Sequence, residues 1–383
     1  MTAAPAFDFA LDTEIRFGAG RRSEVGEVVA GIGRRAVLVT GARSLHRGGF
    51  DDEIRRSLTE AGIDLLDHLT TSGEPDDDAV LAAAARLLAS RPDAVVTVGG
   101  GSTMDLAKAA AIVAGGAELG ALLAGDPVPG PIGPPVVALP TTAGTGSEVS
   151  RGAIVFQRDA SRKRAIRGRG VAPRVAIVDP ELTVAADRSI TAEAGFDAVA
   201  HALETGISRA ASPLNVALAG EALRRLLDAV PRAMAEPEAI DARSDAAYAA
   251  LLMGINLATA STCLPHRMQY ALAGFTDASH ARGVAAIMPA WLQRTRVHAA
   301  ERLDELAVRS GVSGAEPAGV AADRLIERIG EWMGQIGMLG GLASLGVRAD
   351  QVGEVVSRVE GSLANDPGPT APSDLLELAE ASL

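Results

Sequence analysis

One stretch decides the fold class: Asp93-Ala-Val-Val-Thr-Val-Gly-Gly-Gly-Ser-Thr-Met-Asp-Leu-Ala-Lys108. It begins as a short β-branched run typical of a buried strand, passes through three glycines, and continues as a helix predicted from Ser102 to about Val113. Glycines let a ligand approach the main chain closely, and the first N–H groups of a helix attract anions. The stretch therefore predicts a turn that can hold a phosphate, with a plain strand-to-helix turn as the alternative for this motif alone.

Apolar runs of the same kind lie on both sides of this stretch, and segments with helical periodicity separate them. The runs are Arg35–Thr40, Pro135–Leu139 and Arg174–Val178, and a clear intervening helix is Asp78–Ser90. Strands of this type, separated by helices, are typical of a parallel sheet that is covered on both faces. We therefore predict an α/β domain with a mostly parallel sheet over residues 1–183.

The pattern changes from about Ser189 onward, where predicted helices follow one another without a convincing strand. These helices are Thr191–Ser208, Pro213–Ala235, Ala239–Thr262, Arg296–Ser310, Ala318–Ile336 and Asp350–Ser362. The boundary is predicted near the turn Asp179-Pro-Glu-Leu182. The second predicted domain, residues 184–383, is therefore all-helical.

Composition and charge exclude several classes of protein. The chain has 383 residues, of which 48% are hydrophobic and 22% charged, the balance of a folded globular protein. Its net charge of −12 repels phosphate backbones, so no nucleic-acid partner is expected. No apolar run reaches the ~18 residues of a membrane span, and residues 1–9 lack the features of a secretory signal. With a single cysteine, Cys263, a cytoplasmic location is expected.

Small polar residues are dense in a second segment, Pro140-Thr-Thr-Ala-Gly-Thr-Gly-Ser-Glu-Val149, here called the hydroxyl loop. Its hydroxyl groups belong to Thr141, Thr142, Thr145 and Ser147. The loop follows a predicted strand, and ligands of α/β proteins bind at the carboxyl ends of such strands. Together with the glycine turn, the hydroxyl loop predicts a nucleotide site; a flexible polar loop is the alternative.

The helical half contains a second group of candidate residues. Asp197 and His201 are four residues apart on a predicted helix and therefore project from one face. His266 and His280 follow later, among small and apolar residues. One carboxylate and three imidazoles suit Fe²⁺ or Zn²⁺. A surface hydrogen bond between Asp197 and His201 is the alternative, because spacing alone does not bring the four residues together.

In order and spacing, these motifs resemble the iron-containing (group III) alcohol dehydrogenase family, taken broadly to include maleylacetate reductases. Further matches are Phe17-Gly-Ala-Gly20, Asp179-Pro-Glu-Leu182 and the 14-residue separation of His266 and His280. The resemblance implies a dinucleotide-binding α/β domain, an all-α metal-binding domain, and an active site between them.

The resemblance also implies roles for individual residues. The pyrophosphate of the cofactor would be held by Gly100, Gly101 and Ser102, with Asp105 bracing their turn. The cofactor cleft would be lined by Thr141, Thr142, Thr145 and Ser147. The chain's two lysines both match family positions: Lys108 completes the glycine-turn motif, and Lys163 lies near the cofactor ribose. The metal ligands would be Asp197, His201, His266 and His280.

Two positions depart from the usual alcohol dehydrogenase pattern. Gly41 replaces an acidic residue that binds the ribose 2′-hydroxyl, and Arg43 follows it closely. This change favours NADPH over NADH, unless Gly41 is only a turn residue and Arg43 points to solvent. Tyr270 replaces a histidine one helical turn beyond His266, so it either takes part in proton transfer or forms a wall of the pocket.

The segment His266-Arg-Met-Gln-Tyr-Ala-Leu-Ala-Gly274 looks more like maleylacetate reductases, which often work without metal. The resemblance thus implies an NAD(P)H-dependent oxidoreductase acting on a small alcohol, carbonyl or keto-acid compound, with Fe²⁺ or Zn²⁺, if present, as Lewis acid. Tyr270, His266 and His280 would be catalytic, and Arg267 either binds an acidic substrate or lies at the surface.

Two other functions remain open at this point. One is a non-redox lyase or cyclase resembling 3-dehydroquinate synthases, which surround phosphorylated substrates with several lysines and arginines. The other is a binding protein without turnover. Both lysines of this chain are already assigned to the cofactor side, which argues against the lyase. The family also implies a homodimer.

Overall fold

The computed structural model describes residues 6–42 and 49–383. Contacts divide these residues into two units. The first unit contains Ala10–Asp187 and Pro237–Gly254, and the second contains Arg188–Glu236 and Ile255–Leu383 together with residues 6–9. Each unit is therefore assembled from more than one segment of the chain.

The first unit is built on a parallel sheet. Its strands are β1 (Glu14–Phe17), β2 (Arg35–Gly41), β3 (Asp64–Thr71), β4 (Ala94–Gly99), β5 (Val136–Pro140), β6 (Gly152–Gln157), β7 (Arg162–Arg167) and β8 (Val175–Val178). Six of them form one sheet in the order β1-β8-β5-β4-β2-β3, with every neighbouring pair parallel. Strands β6 and β7 form a separate antiparallel hairpin. The predicted α/β class with a mostly parallel sheet is confirmed.

Helices cover this sheet on both faces. They are α1 (Val25–Ala30), α2 (Asp51–Glu60), α3 (Asp77–Ser90), α4 (Gly101–Ala114) and α5 (Leu119–Ala124). Neighbouring residues of β2 enter different cores: Val37 packs in the cluster that contains Leu106 of α4, whereas Leu38 packs with Leu58 of α2. Alternation of side chains along a strand produces this division. Because both faces are buried, the strand is apolar at consecutive positions.

The turn between β4 and α4 depends on the absence of side chains. A Cβ atom at Gly99 would lie 2.5 Å from Thr103 Oγ1, and one at Gly101 would lie 2.7 Å from Thr145 Cγ2. Real Cβ atoms do not approach other atoms so closely, so these glycines allow α4 and the hydroxyl loop to pack together. The helix predicted from Ser102 begins one residue earlier, at Gly101.

The second half of the chain is helical, as predicted. Its helices are α6 (Arg188–Ile207), α7 (Pro213–Ala235), α8 (Ile240–Leu257), α9 (Leu264–Ala271), α10 (His280–Thr295), α11 (Ala300–Arg309), α12 (Val320–Gln335), α13 (Val352–Ser357) and α14 (Pro372–Ala381). Most of α8 belongs to the first unit. None of the helices in the described ranges combines the length and apolarity that crossing a bilayer requires.

Several predicted helix ends were wrong. Helix α8 stops at Leu257 rather than Thr262, and the helix predicted to begin at Arg296 begins at Ala300. Helices α9 and α10 were not predicted at all, although each carries one of the candidate histidines at or near its first residue.

Candidate functional site

Four candidate metal ligands lie together in the second unit and form what we call the Asp–His cluster: Asp197, His201, His266 and His280. Asp197 Oδ1 lies 3.8 Å from His201 Nε2, 3.5 Å from His266 Nε2 and 3.5 Å from His280 Nε2. Helix α6 supplies Asp197 and His201 one turn apart, while α9 and α10 supply one histidine each. Three imidazole nitrogens from three helices thus converge on one carboxylate oxygen.

The donor set of this cluster fits a divalent cation. Asp197, His201 and His266 offer ligand atoms that all lie within 4.8 Å of one another. Among the described residues, neither Asp197 Oδ1 nor His266 Nε2 has a hydrogen-bond partner, although both atoms are buried. A buried polar atom without a partner costs about 1–3 kcal/mol, so two such atoms facing each other indicate a shared ligand. One carboxylate and three imidazoles match the preferences of Fe²⁺ and Zn²⁺.

Two side chains outside the cluster hold the rings of His266 and His280. The Nδ1 atom of His266 contacts Glu204 Oε1 in a short hydrogen bond. The Nδ1–H group of His280 donates to Gln269 Oε1 over 2.7 Å. In the neutral ring, a proton on Nδ1 leaves Nε2 with a lone pair, and in both residues Nε2 is the atom that faces Asp197.

The electrostatics of the cluster favour a positive charge at its centre. Burial lowers the pKa of His201 to about 4, against the attraction of Asp197. Burial also opposes a charge on His266, but Glu204 and Asp197 outweigh it and raise the pKa of His266 to about 9. Burial likewise opposes ionisation of Asp197, yet the surrounding imidazoles hold the pKa of its carboxyl well below the usual range. An ionised carboxylate buried among imidazoles is a suitable environment for a cation.

Tyr270 and Arg267 lie on α9 beside the cluster. The half-buried ring of Tyr270 has its centroid 6.1 Å from that of His280. Arg267 is only 6% exposed, so a surface position for this residue is wrong. Its Nη2 donates to Ser261 Oγ over 2.9 Å, and its guanidinium carbon lies 5.9 Å from the Tyr270 ring centroid. Tyr270 is therefore next to the candidate metal ligands, and Arg267 packs beside it.

The candidate cofactor residues lie in the first unit, and those of the glycine turn and the hydroxyl loop follow the carboxyl ends of parallel strands. Gly100, Gly101 and Ser102 form the start of α4 directly after β4. The hydroxyl loop begins at the last residue of the neighbouring strand β5 and contains Thr141, Thr142, Thr145 and Ser147. The N-terminus of α4 and the hydroxyl groups of the loop thus lie at the same edge of the sheet, where α/β proteins bind nucleotides.

Asp105 joins this helix to the loop and to the hairpin that follows it. Ser147 Oγ donates to Asp105 Oδ1 over 2.6 Å, and the main-chain N–H of Ile154 donates to Asp105 Oδ2 over 2.9 Å. Both carboxylate oxygens are therefore engaged by other segments of the same unit. Such contacts fix the loop relative to α4.

Lys108 is fully enclosed at the same junction. Its Nζ donates to Ser147 Oγ over 2.6 Å, to Ser147 O over 3.0 Å and to the carbonyl of Gly152. Burial lowers its pKa, against the attraction of Asp105, which lies 3.3 Å away. The neighbouring Glu148 is also buried, and burial raises its pKa to about 7. Lys108 therefore has a structural role, because the N–H groups of its ammonium bind Ser147 and Gly152 within the protein.

Lys163 and Gly41 are the remaining candidate cofactor residues. Lys163 lies on β7 and pairs with Glu74 Oε1 over 2.6 Å. Gly41 ends β2 at the carboxyl edge of the sheet, opposite Thr71 of β3. The predicted contribution of Arg43 concerns a residue outside the described ranges.

Glu204 and Gln269 contact the cluster through His266 and His280, and neither residue was predicted from the sequence. The spacing of Asp197, His201 and Glu204 on one helix places all three on the same face, so this signal was present. Gln269 lies three residues after His266 on a helix that was not predicted, so no spacing rule identified it.

Comparison with known proteins assigns nearly the whole chain to the family that the sequence motifs resemble. Residues 12–180 match the family described as iron-containing alcohol dehydrogenase, and residues 191–383 match the C-terminal part of the Fe-containing alcohol dehydrogenase family. The NAD-dependent methanol dehydrogenase of Bacillus methanolicus is 31% identical over 88% of either chain. The 1,3-propanediol dehydrogenase of Klebsiella pneumoniae is 32% identical over 89% of either chain. A crystal structure of a 1,3-propanediol oxidoreductase superposes with a TM-score of 0.91 at 29% identity, covering 99% of this chain and 100% of that one.

Proposed function

The chain belongs to the iron-containing alcohol dehydrogenase family, and we propose that it interconverts a small alcohol and its carbonyl compound with a nicotinamide dinucleotide. In the reducing direction, a hydride passes from the dihydronicotinamide to the carbonyl carbon, and a proton passes to the carbonyl oxygen. In the oxidising direction, the alcohol carbon gives its hydride to the oxidised nicotinamide, and the alcohol oxygen loses its proton. The relatives named above support this reaction class, and they give no support to a lyase or cyclase.

One observation carries the proposal that a metal takes part: the approach of three Nε2 atoms to Asp197 Oδ1 within 3.8 Å. Asp197, His201, His266 and His280 would hold the ion. A bound Fe²⁺ or Zn²⁺ supplies Lewis acidity, which stabilises negative charge on the substrate oxygen. The family membership favours iron, and the ligand types suit both metals.

The chain's own residues have distinct tasks in this proposal. His266 and His280 would hold the ion through Nε2, because the Nδ1 atom of each ring is engaged by Glu204 or Gln269. Tyr270 Oη would donate a hydrogen bond and a proton to the substrate oxygen during reduction. A phenol has an ordinary pKa of ~10, so it acts as a donor rather than as a base at neutral pH.

The dinucleotide would be held by the first unit. The main-chain N–H groups of Gly100, Gly101 and Ser102 lie at the N-terminus of α4, where a pyrophosphate is stabilised. Thr141, Thr142, Thr145 and Ser147 would donate hydroxyl hydrogen bonds to the cofactor. Asp105 would keep their loop in place, and Lys163 would lie near the ribose. The proposed cofactor domain is thus built mainly from residues 1–183 and the proposed metal and substrate domain mainly from residues 184–383, with Pro237–Gly254 packed in the cofactor unit.

The cofactor is proposed to be NADPH, with NADH as the alternative. Gly41 leaves the end of β2 without the carboxylate that would repel a 2′-phosphate. The Bacillus methanolicus relative is described as NAD-dependent, so this proposal concerns a difference within the family. A homodimer and a cytoplasmic location complete the proposal.

The deciding experiment combines elemental analysis of the purified protein with NADPH and NADH oxidation against aldehydes, ketones and keto acids. We expect near-stoichiometric iron or zinc, turnover of at least one carbonyl class, loss of turnover on chelation and recovery on adding metal back. Full turnover by metal-free protein would overturn the role of the Asp–His cluster. Metal without oxidation of either dinucleotide would instead count against the redox reaction.

A further inference from the structure

Glu204 is a fully buried carboxylate that touches the cluster without belonging to it. Its exposed fraction is 0%, and it lies on α6 one turn after His201. Oε2 accepts a hydrogen bond from the main-chain N–H of Cys263 over 2.6 Å, and Oε1 contacts His266 Nδ1. Burial of a charge is costly unless its lone pairs are engaged, and here both oxygens have partners.

These contacts determine which nitrogen of His266 carries the proton. The N–H of Cys263 can only donate, so it fixes Oε2 as an acceptor and turns Oε1 toward the imidazole. An ionised carboxylate also accepts only, so the proton of the contact belongs to His266 Nδ1. Nε2 is then the nitrogen left to hold an ion, and it faces Asp197 Oδ1 at 3.5 Å.

The partner of His280 is different in charge. Gln269 accepts from His280 Nδ1 over 2.7 Å, and its side chain packs closely on Gly283, where an added Cβ would lie 2.8 Å from Gln269 Cγ. A neutral amide orients a ring, whereas a carboxylate also increases the basicity of the ring's other nitrogen. The two histidines therefore differ in the partner of Nδ1: His266 has the carboxylate of Glu204, and His280 has the neutral amide of Gln269.

We propose that Glu204 is a positioning residue that sets the affinity of the Asp–His cluster for a divalent cation by fixing the orientation and the Nδ1–H tautomer of His266. The inference rests on the proposed metal centre. Carboxylates that support metal-bound histidines typically change metal affinity about 10–100-fold when they are removed. Glu204 would thus change the affinity of the Asp–His cluster for a cation through His266, without itself being a ligand.

The test compares the full-length native protein with the variant Glu204→Gln, each stripped of metal. Glutamine has one acceptor oxygen for the two donors, Cys263 N–H and His266 Nδ1–H, so one of them loses its partner. We expect Zn²⁺ binding, measured by competition with a chromophoric chelator, to weaken about 10–100-fold. The visible absorption of bound Co²⁺ should shift as well, because it reports ligand geometry.

Asp366→Asn provides a matched control at the N-terminus of α9. Asp366 is also buried. Its Oδ2 accepts a hydrogen bond over 3.0 Å from the main-chain N–H of Leu264, which is the residue after Cys263. Its other donors are Trp291 Nε1 at 2.9 Å and Gly368 N at 2.9 Å, so it braces α9 without touching a ring of the cluster. Asp366→Asn should lower the melting temperature of the metal-free protein and leave Zn²⁺ affinity and the Co²⁺ spectrum unchanged.

Each other outcome overturns a specific statement. Equal loss of Zn²⁺ affinity in both variants would mean that Glu204 only braces α9. Native affinity and an unchanged Co²⁺ spectrum in Glu204→Gln would overturn the positioning role while leaving the metal centre intact. A native protein that binds neither Zn²⁺ nor Co²⁺ would overturn the metal centre and this inference together.

Discussion

Asp197 Oδ1 and His266 Nε2 face each other across 3.5 Å, and neither atom has a hydrogen-bond partner among the described residues. The two residues are 69 positions apart in the sequence and lie on different helices, yet they are buried side by side. This arrangement is costly unless a third group joins them.

Replacing Asp197 with asparagine keeps the shape of the side chain and removes the negative charge from the cluster. Asp197→Asn should lower the bound metal well below stoichiometry and lower kcat/KM by roughly 100-fold or more, since the Lewis acid contributes several kcal/mol. Elemental analysis and steady-state kinetics measure both effects. Glu193→Gln is the control: Glu193 lies on the same helix as Asp197, its accessible ion pair with Arg282 of α10 is removed, and neither quantity should change.

Tyr270→Phe tests the route of the proton. If the Tyr270 hydroxyl donates to the substrate oxygen, kcat for carbonyl reduction should fall about 100-fold or more, the usual contribution of a general acid. Metal content should stay native, because the remaining ring still packs near His280. Unchanged kcat would assign Tyr270 to the wall of the pocket.

Gly41→Asp tests the choice of cofactor. A carboxylate at the end of β2 would repel a 2′-phosphate, and a repulsion between ~1 kcal/mol, the value in bulk water, and ~4 kcal/mol, the value near a protein surface, corresponds to about fivefold or more in kcat/KM. We therefore expect kcat/KM with NADPH to fall and kcat/KM with NADH to be retained. A parallel fall with both dinucleotides would show only a distorted turn.

Gly101→Ala tests the packing of the glycine turn against the hydroxyl loop. The added Cβ would lie 2.7 Å from Thr145 Cγ2, and overpacking of this kind costs about 1–3 kcal/mol. The free energy of unfolding and the affinity for the dinucleotide should both fall. Gly120→Ala is the control, because nothing lies within 4 Å of its added Cβ and alanine favours a helix. Equal dinucleotide affinity in the two variants would contradict the role of the turn.

Glu148 should make stability depend on pH. Burial raises its folded-state pKa to about 7, above the ordinary value of 4.5, so the folded protein binds the proton more tightly than the unfolded chain does. The free energy of unfolding should therefore fall as pH rises from about 4.5 to 7, by an amount of order 3 kcal/mol from this group. Glu148→Gln should flatten this slope in urea denaturation at pH 5 and pH 8, and it should stabilise the protein at pH 8. A native slope in the variant would assign the pH dependence to other groups.

Local sequence patterns predicted the central part of the fold and missed its edges. Strands β2, β4 and β5 are buried on both faces, so their consecutive apolar residues are visible in the sequence. Strand β3 lies at the edge of the sheet and is mostly half-buried, so polar residues such as Asp67 and His68 interrupt its pattern. Edge strands give a weak signal because one side of their environment is solvent.

The candidate site shows a similar division. Asp197 and His201 could be paired from their spacing on a helix, but the approach of His266 and His280 depends on how three helices pack. Helix α9 has only eight residues, and α10 contains Pro289, which argues against a helix in a local reading. The burial of Arg267 was not visible either, because it comes from tertiary packing. The roles of these residues remain predictions.

The assignment of Pro237–Gly254 to the first unit has a consequence for biosynthesis. Within this unit, the guanidinium of Arg243 donates to the carbonyls of Pro237 and Ala186, and Gly254 packs so tightly on Gly146 that an added Cβ would lie 2.5 Å from the Gly146 oxygen. A nascent chain that has left the ribosome only as far as Asp187 lacks this helix. The first unit can therefore complete its packing only after much of the helical half has been translated, and a gene divided at codon 184 would not encode two self-sufficient products.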